Sequence, residues 1–417
     1  MRPWLQPLIY SKILNLLSFI FPNDPFTWIL ILRIFSSLLG YFSIVYLFYT
    51  FKDIFFQKEK VFNYFLFFTF WFYPFLHSRT SSENLSISLF LISFCILFKV
   101  IITKKINYNF IIFSAASFLM GVSMVIKYTT VFTALPFFAW ILFFRFKLIK
   151  IIIFGLSILL ALSFGLFIDY INWGSFKNTY YQFYYHNLSS GPMGAMKTFG
   201  SEPWYYFITE IIKQLAPLLS LFFFIGLVLF WINNLKNILT WITLFTFFIF
   251  SIISHKEIRY IFPVYIFAPF FIAYLFNFIN KKLIKKIIKS IVIFSNLLFL
   301  LITLFFPANA KVGVYNFIYN NLQHDSALYY LGENPYQVNN MEPFIYTKFL
   351  PKINEYKNSK IKDDKFYLVT NDYKKFSNEI EFVCTIAYST YPISIVELNK
   401  NWKRLKLNWR VYNCDKT

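Results

Sequence analysis

The stretch Ser254–Val264, SHKEIRYIFPV, lies between two apolar runs, WITLFTFFIFSII at 241–253 and YIFAPFFIAYLF at 265–276. It places four ionisable side chains within five residues, where two segments suited to lipid meet. An apolar run of about 20 residues is long enough to cross a bilayer. The stretch therefore predicts a polar turn at one surface of a membrane, and the remaining sequence indicates which surface.

The composition is that of a polytopic membrane protein. Of the 417 residues, 58% are hydrophobic and 14% are charged, whereas about a quarter are charged in a soluble domain. The net charge of +21 lies largely in short loops, so it does not indicate a nucleic-acid partner. We predict an all-α membrane domain over 1–306, with about ten spans at 26–50, 62–77, 84–101, 108–126, 130–147, 149–168, 206–231, 237–254, 260–279 and 288–306.

Basic residues in alternate loops predict the orientation of these spans. Fifteen lysines and arginines fall in the loops at 52–60, 99–105, 145–150, 236 and 281–289, and such loops face the cytoplasm. The polar stretch at 254–259 and both chain ends then face the outer side. The chain thus begins outside, so either its N-terminus is translocated or a first span and an outer loop precede Met1.

The segment from 307 to 417 predicts a small outer α/β domain. SALYYLG, EPFIYTKF, KFYLVTN and EFVCTIAYS read as short strands rich in aromatic and β-branched residues. Cys384 and Cys414 lie in this segment, where an oxidising compartment permits a disulfide. We predict that these two cysteines pair, the alternative being two unrelated thiols.

Two polar clusters lie in turns on the predicted outer side. In HSRTSSEN (77–84), Thr80 and Glu83 have the spacing of a helix capping box, and Arg79 and Glu83 are spaced to pair on a helix. Neither the capping box nor the ion pair excludes a second role for Arg79 in substrate binding. Lys127, at the end of an apolar run, either extends to the membrane surface or binds substrate.

The loop that begins at Asp169 combines aromatic rings with isolated polar groups. Its sequence is DYINWGSFKNTYYQFYYHNLSSGPMGAMKTFGSEPWYYF. An interfacial aromatic belt accounts for the rings but not for Asp169, His186 and Asn187 among them. Aromatic faces with a few polar partners suit a sugar ring, so we predict a substrate loop that includes Trp204.

The stretch at 254–259 predicts a cationic face. On a helix Lys256 and Arg259 are three apart, and His255 and Arg259 are four apart, so all three share a side. A phosphate at the lipid boundary would be held by such a face. The alternative is an interfacial anchor, but Glu257 adds a charge that anchoring does not need, and ionisable residues near membrane depth are commonly functional.

SHKEIRYIFPV resembles the His-Lys-Glu-x-Arg-aromatic signature of glycosyltransferase family 22, the polytopic α-mannosyltransferases of GPI-anchor and N-glycan assembly and their bacterial relatives. The resemblance covers residues 1 to about 275. RPWLQPLIYSKILNLL, SRTSSENLS, DYINWGSFKNTYYQFYYHNL and FGSEPWYYF are similar, in order, to further segments of that family. One departure is that Glu83 and Asn84 replace the family's usual order and no acid stands at Ser86.

The resemblance implies a GT-C fold and transfer of a sugar, with mannose implied by the family, from a polyprenyl-phosphate carrier to a glycan or glycolipid acceptor. The membrane would be a bacterial inner membrane or the endoplasmic reticulum. No metal or other cofactor is expected, because cations suffice for a monophosphate leaving group.

The family's catalytic base lies in a His-Pro-Asp-Glu motif that would precede Met1, so the sequence is a fragment, its start is mis-set, or it has lost catalysis. Asp169 and Glu83 are the in-chain candidates for the base. A transporter or flippase of lipid-linked sugars, or a catalytically inactive relative, are the alternative functions.

Overall fold

The computed structural model describes residues 3–103, 110–145, 148–188, 200–306, 309–337, 343–357, 364–379, 382–397 and 408–415. The chain forms two compact units. The first, which we call the membrane unit, comprises Met1–Leu14 and Ile31–Leu304. The second, the sheet unit, comprises Asn15–Leu30 and Phe305–Thr417. The predicted division at residue 306 stays a prediction.

Helices account for every segment that the apolar runs predicted. Short 3-10 helices lie at Tyr128–Thr130 and Ile258–Ile261, and a π-helix at Lys99–Thr103. The α-helices up to residue 305 are α1 Leu5–Ile20, α2 Pro25–Phe55, α3 Lys60–Phe68, α4 Phe72–His77, α5 Ser82–Phe98, α6 Phe110–Ile126, α7 Val131–Phe144, α8 Leu148–Trp173, α9 Thr179–Leu188, α10 Tyr206–Gln214, α11 Pro217–Asn233, α12 Ile238–Ile252, α13 Phe262–Tyr265, α14 Ala268–Leu275 and α15 Lys282–Phe305.

The prediction of about ten spans is not confirmed. Within the described residues, four helices are long and apolar enough to cross a membrane, or six if each of two bent pairs counts as one span. The bent pairs are α11 with α12 and Ile258–Tyr265 with α14. Several predicted spans are instead broken into short helices. The chain is nonetheless a membrane protein, because these helices are too apolar and too long for a soluble fold of this kind.

The break between α3 and α4 is closed by a side chain distant in sequence. Asn296 of α15 donates from Nδ2 to the carbonyl oxygen of Thr69 at 3.0 Å, and its Oδ1 accepts the backbone N–H of Trp71 at 3.0 Å. Backbone groups in lipid must find partners within the protein. The segment predicted as one span at 62–77 can therefore bend without leaving unpaired groups.

The break between α10 and α11 is satisfied in a similar way. Tyr265, fully buried, donates its hydroxyl to the carbonyl oxygen of Leu215 at 2.8 Å. Gly226 in α11 lies against the backbone of Phe271, where a Cβ would clash with the carbonyl oxygen. The segment that follows the polar stretch at 254–259 is thus held closely against α11.

Asp169 of α8 joins three parts of the membrane unit. Its Oδ1 accepts the backbone N–H of Trp4 at 2.8 Å. Its Oδ2 accepts the hydroxyls of Thr179 at 2.6 Å and Tyr128 at 3.2 Å. The carboxylate is 1% exposed. A buried carboxylate with three donors fixes the start of α1, the turn after α6 and the start of α9 around the end of α8.

The sheet unit contains a five-stranded mixed sheet of order β2-β1-β3-β5-β4. The parallel neighbours are β1–β2 and β1–β3, whereas β5 is antiparallel to both β3 and β4. The strands are β1 Leu328–Leu331, β2 Asn354–Glu355, β3 Lys365–Thr370, β4 Val383–Ser389 and β5 Arg410–Asp415, and the helices are α16 Ala310–Asn321, α17 Phe344–Thr347, α18 Tyr373–Glu379 and α19 Ile393–Glu397.

The predicted strands are confirmed in three of four cases. The strand predicted in EPFIYTKF is wrong, because Phe344–Thr347 form α17 and Pro343 has no N–H to donate to a strand ladder. Cys384 and Cys414 lie opposite each other in the β4–β5 register and form the predicted disulfide.

Replacing Asp169 by Ala should lower the melting temperature of the purified protein by several degrees. The change leaves the backbone N–H of Trp4 and the hydroxyl of Thr179 without their acceptor, at about 1–3 kcal/mol each, whereas Tyr128 keeps a bond to Thr179 Oγ1 at 2.7 Å. Thermal unfolding in detergent measures the loss. Asp169→Asn keeps one carbonyl acceptor, so its melting temperature should fall less. Tyr170→Ala, at an exposed neighbouring residue, should melt like the parent. A parent-like melting temperature for Asp169→Ala would contradict this role.

Candidate functional site

A cluster of charged side chains lies where three segments of the membrane unit end. Glu83 Oε1 accepts Lys127 Nζ at 2.8 Å and lies 3.3 Å from Arg259 Nη1. Arg259 Nε also pairs with Glu257 Oε2, and His255 Nε2 lies 3.5 Å from Glu257 Oε1. We call these five residues the charge cluster. They combine two strong cations, two carboxylates and one histidine in a single connected network.

Local structure places each member of the cluster. Ser81 is the N-cap of α5, its hydroxyl accepting the backbone N–H of Asn84 at 3.2 Å, so Glu83 lies in the first turn. Lys127 follows the last residue of α6, with its N–H bonded to the carbonyl oxygen of Ser123 at 3.2 Å. Arg259 lies in the 3-10 helix Ile258–Ile261. Glu83 therefore receives cations from two other segments of the chain.

The predicted capping box and helical ion pair are wrong. The cap is Ser81 rather than Thr80, because α5 begins one residue later than the box requires. Glu83 pairs with Lys127 and Arg259 rather than with Arg79. The tertiary cations are available to Glu83 because its side chain is only 12% exposed and faces the other two segments.

Lys256 does not share a helical face with Arg259, which corrects the geometry expected from their spacing. α12 ends at Ile252, and Ile253 has extended backbone angles. Lys256 lies in an irregular segment, 4% exposed, and its Nζ donates to the carbonyl oxygen of Glu202 at 2.8 Å. Burial lowers the pKa of Lys256, and the charge of Glu202 opposes this shift.

Glu257 remains ionised at neutral pH. Burial alone would raise the pKa of its carboxyl, but the hydrogen bond from Arg259 and the charge of Arg259 outweigh burial and hold that pKa below its ordinary value. The charge cluster thus contains positive and negative side chains whose charges nearly cancel. Among the cations of the cluster, Arg259 has a side chain that is 43% exposed, so a ligand can reach it.

Next to Lys256 lies a cavity of about 500 Å³. One wall is apolar and belongs to α12, and the other edge is polar and carries Lys256, Glu202 and the exposed ring of Trp204. The lining residues are Ser201, Glu202, Trp204, Leu244, Phe247, Phe248, Ser251, Ile252, Ser254 and Lys256. An apolar wall that leads to a lysine suits an amphiphile with an acidic end.

The aromatic loop after Asp169 packs partly against the membrane unit. Tyr184 donates its hydroxyl to the carbonyl oxygen of Tyr128 at 3.0 Å, and Tyr180 donates to that of Leu162 at 2.8 Å. His186 is half-buried on α9, and the side chain of Asn187 falls outside the described part. The predicted sugar-binding role of this loop stays a prediction.

Arg79 lies outside the charge cluster. Its guanidinium lies over the ring of Phe75, 3.9 Å from the centroid, and its side chain is exposed. Arg33 of α2, which the sequence pattern did not single out, donates from Nε to the carbonyl oxygen of Ser78 at 3.0 Å. A lone arginine inside a predicted span was a signal that could have identified it.

The described residues bring no three of His, Cys, Asp and Glu together in a way that could hold a metal ion. The chemistry that this arrangement supports is electrostatic. Cations and carboxylates at one end of a helical bundle can bind a phosphate and exchange a proton beside an apolar cavity.

Comparison with known proteins is consistent with these features. The model of the Alg9-like mannosyltransferase family matches residues 1–340. GPI alpha-1,2-mannosyltransferase 3 of Bos taurus is 26% identical over 309 residues, which are 73% of this chain and 54% of that protein. The chain therefore spans about half the length of this curated relative.

Two solved structures have a similar fold. ArnT from Cupriavidus metallidurans in the apo state gives a TM-score of 0.54 at 9% identity, covering 97% of this chain and 86% of that one. The same protein bound to undecaprenyl phosphate gives a TM-score of 0.55 at 9% identity, covering 99% and 87%. This likeness supports the predicted GT-C fold. The family match includes most of the chain and confirms the resemblance drawn from the sequence motifs, so the chain belongs to the Alg9-like mannosyltransferase family.

Proposed function

We propose that the protein is a membrane mannosyltransferase that moves a sugar from a polyprenyl-phosphate carrier to a hydroxyl of a glycan or glycolipid. The observation that carries this proposal is the charge cluster beside an apolar cavity that ends at Lys256. Family membership supports the reaction class, and ArnT from Cupriavidus metallidurans, a protein of similar fold, has a structure bound to undecaprenyl phosphate. The proposed membrane is a bacterial inner membrane or that of the endoplasmic reticulum, with the site on its outer or lumenal side.

The reaction requires stabilisation of a departing phosphate. The bond between the anomeric carbon and the carrier phosphate oxygen breaks, and a bond from that carbon to the acceptor oxygen forms. The phosphate leaves with the electron pair of the broken bond, so cations positioned at its oxygens lower the barrier. Arg259, exposed at the edge of the cluster, and Lys256, at the polar end of the cavity, are the proposed partners.

The acceptor hydroxyl must also lose its proton to a base. Asp169 already accepts three hydrogen bonds in a buried position, so we assign it a structural role. Glu83 belongs to the charge cluster, but two cations share its carboxylate, which makes it a weak base until a phosphate draws those cations away. The resemblance places the family's base in a His-Pro-Asp-Glu motif, and Glu83 is the in-chain candidate.

Arg259→Gln should reduce transfer from a polyprenyl-phosphate mannose about tenfold to a hundredfold, the loss of one charge-assisted contact. The measurement is the rate of radiolabelled sugar transfer by the purified full-length gene product. Lys213→Gln is the matched control, since Lys213 is an exposed lysine that pairs with Glu210 at 3.1 Å on α10. A melting temperature for each variant separates lost chemistry from lost folding.

Equal rates for Arg259→Gln, Lys213→Gln and the parent would assign Arg259 to anchoring. A parent protein that transfers no sugar from any polyprenyl-phosphate donor would contradict the proposed function itself.

A cysteine at position 254 should react with a membrane-impermeant maleimide in intact cells or right-side-out vesicles. Ser254 is exposed and lines the cavity, and the basic loops predict that it faces outward. Cys95 is buried and the other two cysteines are bonded, so the introduced thiol is the reactive one. Asn280→Cys, exposed beside a basic loop, should react only after permeabilisation. The reverse pattern would invert the topology and remove the site from the outer side.

A further inference from the structure

Two arginines outside the charge cluster approach each other in the membrane unit. Arg33 projects from α2, and its Nε donates to the carbonyl oxygen of Ser78 at 3.0 Å, the residue next to Arg79. Arg79 lies in the turn between α4 and α5. Both side chains are exposed, and the hydrogen bond to Ser78 places Arg33 beside the turn that carries Arg79.

The backbone around this pair is held rigidly. Ser37, one turn beyond Arg33 on α2, donates to the carbonyl oxygen of His77 at 3.2 Å. Asn84 donates from Nδ2 to the carbonyl oxygens of His77 at 2.9 Å and Arg79 at 2.7 Å. The ring of Phe75 supports one face of the Arg79 guanidinium. These contacts hold the turn that carries Arg79, and one hydrogen bond ties Arg33 to the same turn.

Neither guanidinium forms an ion pair within the described part of the chain. Partial desolvation lowers the pKa of Arg79, the charge of Glu83 opposes this, and the charge of Arg33 adds to the lowering. Two like charges held together destabilise the protein unless an anion lies between them. This arrangement differs from the charge cluster, where both strong cations are paired with carboxylates.

The surroundings of Arg33 are those of a lipid-facing surface. Ile34, Phe35 and Leu38 on the same helix are 48%, 43% and 51% exposed, and α2 is among the helices long enough to cross a membrane. An anion that reaches Arg33 from this side travels with an apolar chain. Unpaired ionisable residues on a membrane span commonly mark a ligand site.

We propose that Arg33 and Arg79 together bind the phosphate of a membrane lipid, at a site separate from the charge cluster. Two guanidinium groups provide forked donors that match phosphate oxygens. The apolar side chains beside Arg33 would contact the lipid chain. The phosphate comes either from an anionic phospholipid or from a polyprenyl-phosphate carrier, and these two sources are distinguishable. The proposal does not depend on sugar transfer.

Native mass spectrometry of the full-length protein in detergent, titrated with lipid, tests the proposal. We expect the parent to bind phosphatidylglycerol or polyprenyl phosphate in preference to phosphatidylcholine. Arg33→Gln and Arg79→Gln should each weaken this binding about tenfold, the effect of losing one charge-assisted contact. Arg33→Lys and Arg79→Lys keep the charge without the forked donors, so their lipid affinity should lie between those of the parent and the Gln variants.

Arg145→Gln is the matched control, since Arg145 is also exposed and lies over an aromatic ring, that of Trp140 at 5.8 Å. It should bind lipid like the parent. Parent-like binding by both Gln variants, or equal weakening by Arg145→Gln, would overturn the proposal. Saturation of the site by inorganic phosphate alone would also overturn it, because the ligand would then be a soluble anion. Melting temperatures identify any variant that has failed to fold.

Competition between the two lipids identifies the source of the phosphate. If polyprenyl phosphate displaces phosphatidylglycerol at equal concentration, the pair is a carrier site. If phosphatidylglycerol retains its place, the pair is a phospholipid site. Either result supports lipid binding, and an enzyme that binds lipid but transfers no sugar would contradict only the proposed function.

Discussion

One carboxylate oxygen of Glu83 is shared between Lys127 and Arg259, at 2.8 and 3.3 Å. The three residues come from the start of α5, the end of α6 and the stretch after α12. Glu83 is largely buried, and a buried carboxylate that lost both cations would be left as an uncompensated charge, which destabilises a fold. The ion pairs therefore hold the ends of these three segments together, and they place Lys127 and Arg259 next to the same carboxylate.

This constraint explains why so much charge occurs in SHKEIRYIFPV. Glu257 neutralises Arg259 from within the stretch, while Glu83 neutralises it from another helix. Lys256 turns away into the cavity and binds the carbonyl oxygen of Glu202. The stretch thus places Arg259 in the charge cluster and Lys256 at the polar end of the cavity.

The sequence was sufficient to predict helices but not where they break. Apolar runs identify lipid-compatible segments because transfer energy depends on local composition. The break between α3 and α4 is stabilised by Asn296, which lies 225 residues from Trp71 in the chain. Contacts at that separation leave no local pattern. Strand EPFIYTKF was misassigned because its composition suits a strand, whereas Pro343 has no N–H to donate to a strand ladder.

The chemical types of the candidate site residues could be predicted from the sequence, but the way these residues are arranged in space could not. Spacing predicted Lys256 and Arg259 on one helical face, but the extended backbone at Glu257 and the 3-10 helix that begins at Ile258 separate them. Asp169 was identified as unusual, and its three hydrogen bonds give it a structural role. Arg33 was missed because it lies within a predicted span rather than in a polar turn, although a single charge in a long apolar run is itself a signal.

The most direct test of the central role of Glu83 is a double-mutant cycle between Glu83 and Lys127 on thermal stability. Glu83→Gln and Lys127→Met are compared singly and together in the purified protein. If the ion pair organises the site, each single change lowers the melting temperature by several degrees and the double variant is no less stable than the worse single variant. Additive losses, or two single variants that melt like the parent, would show that the pair does not hold these segments together.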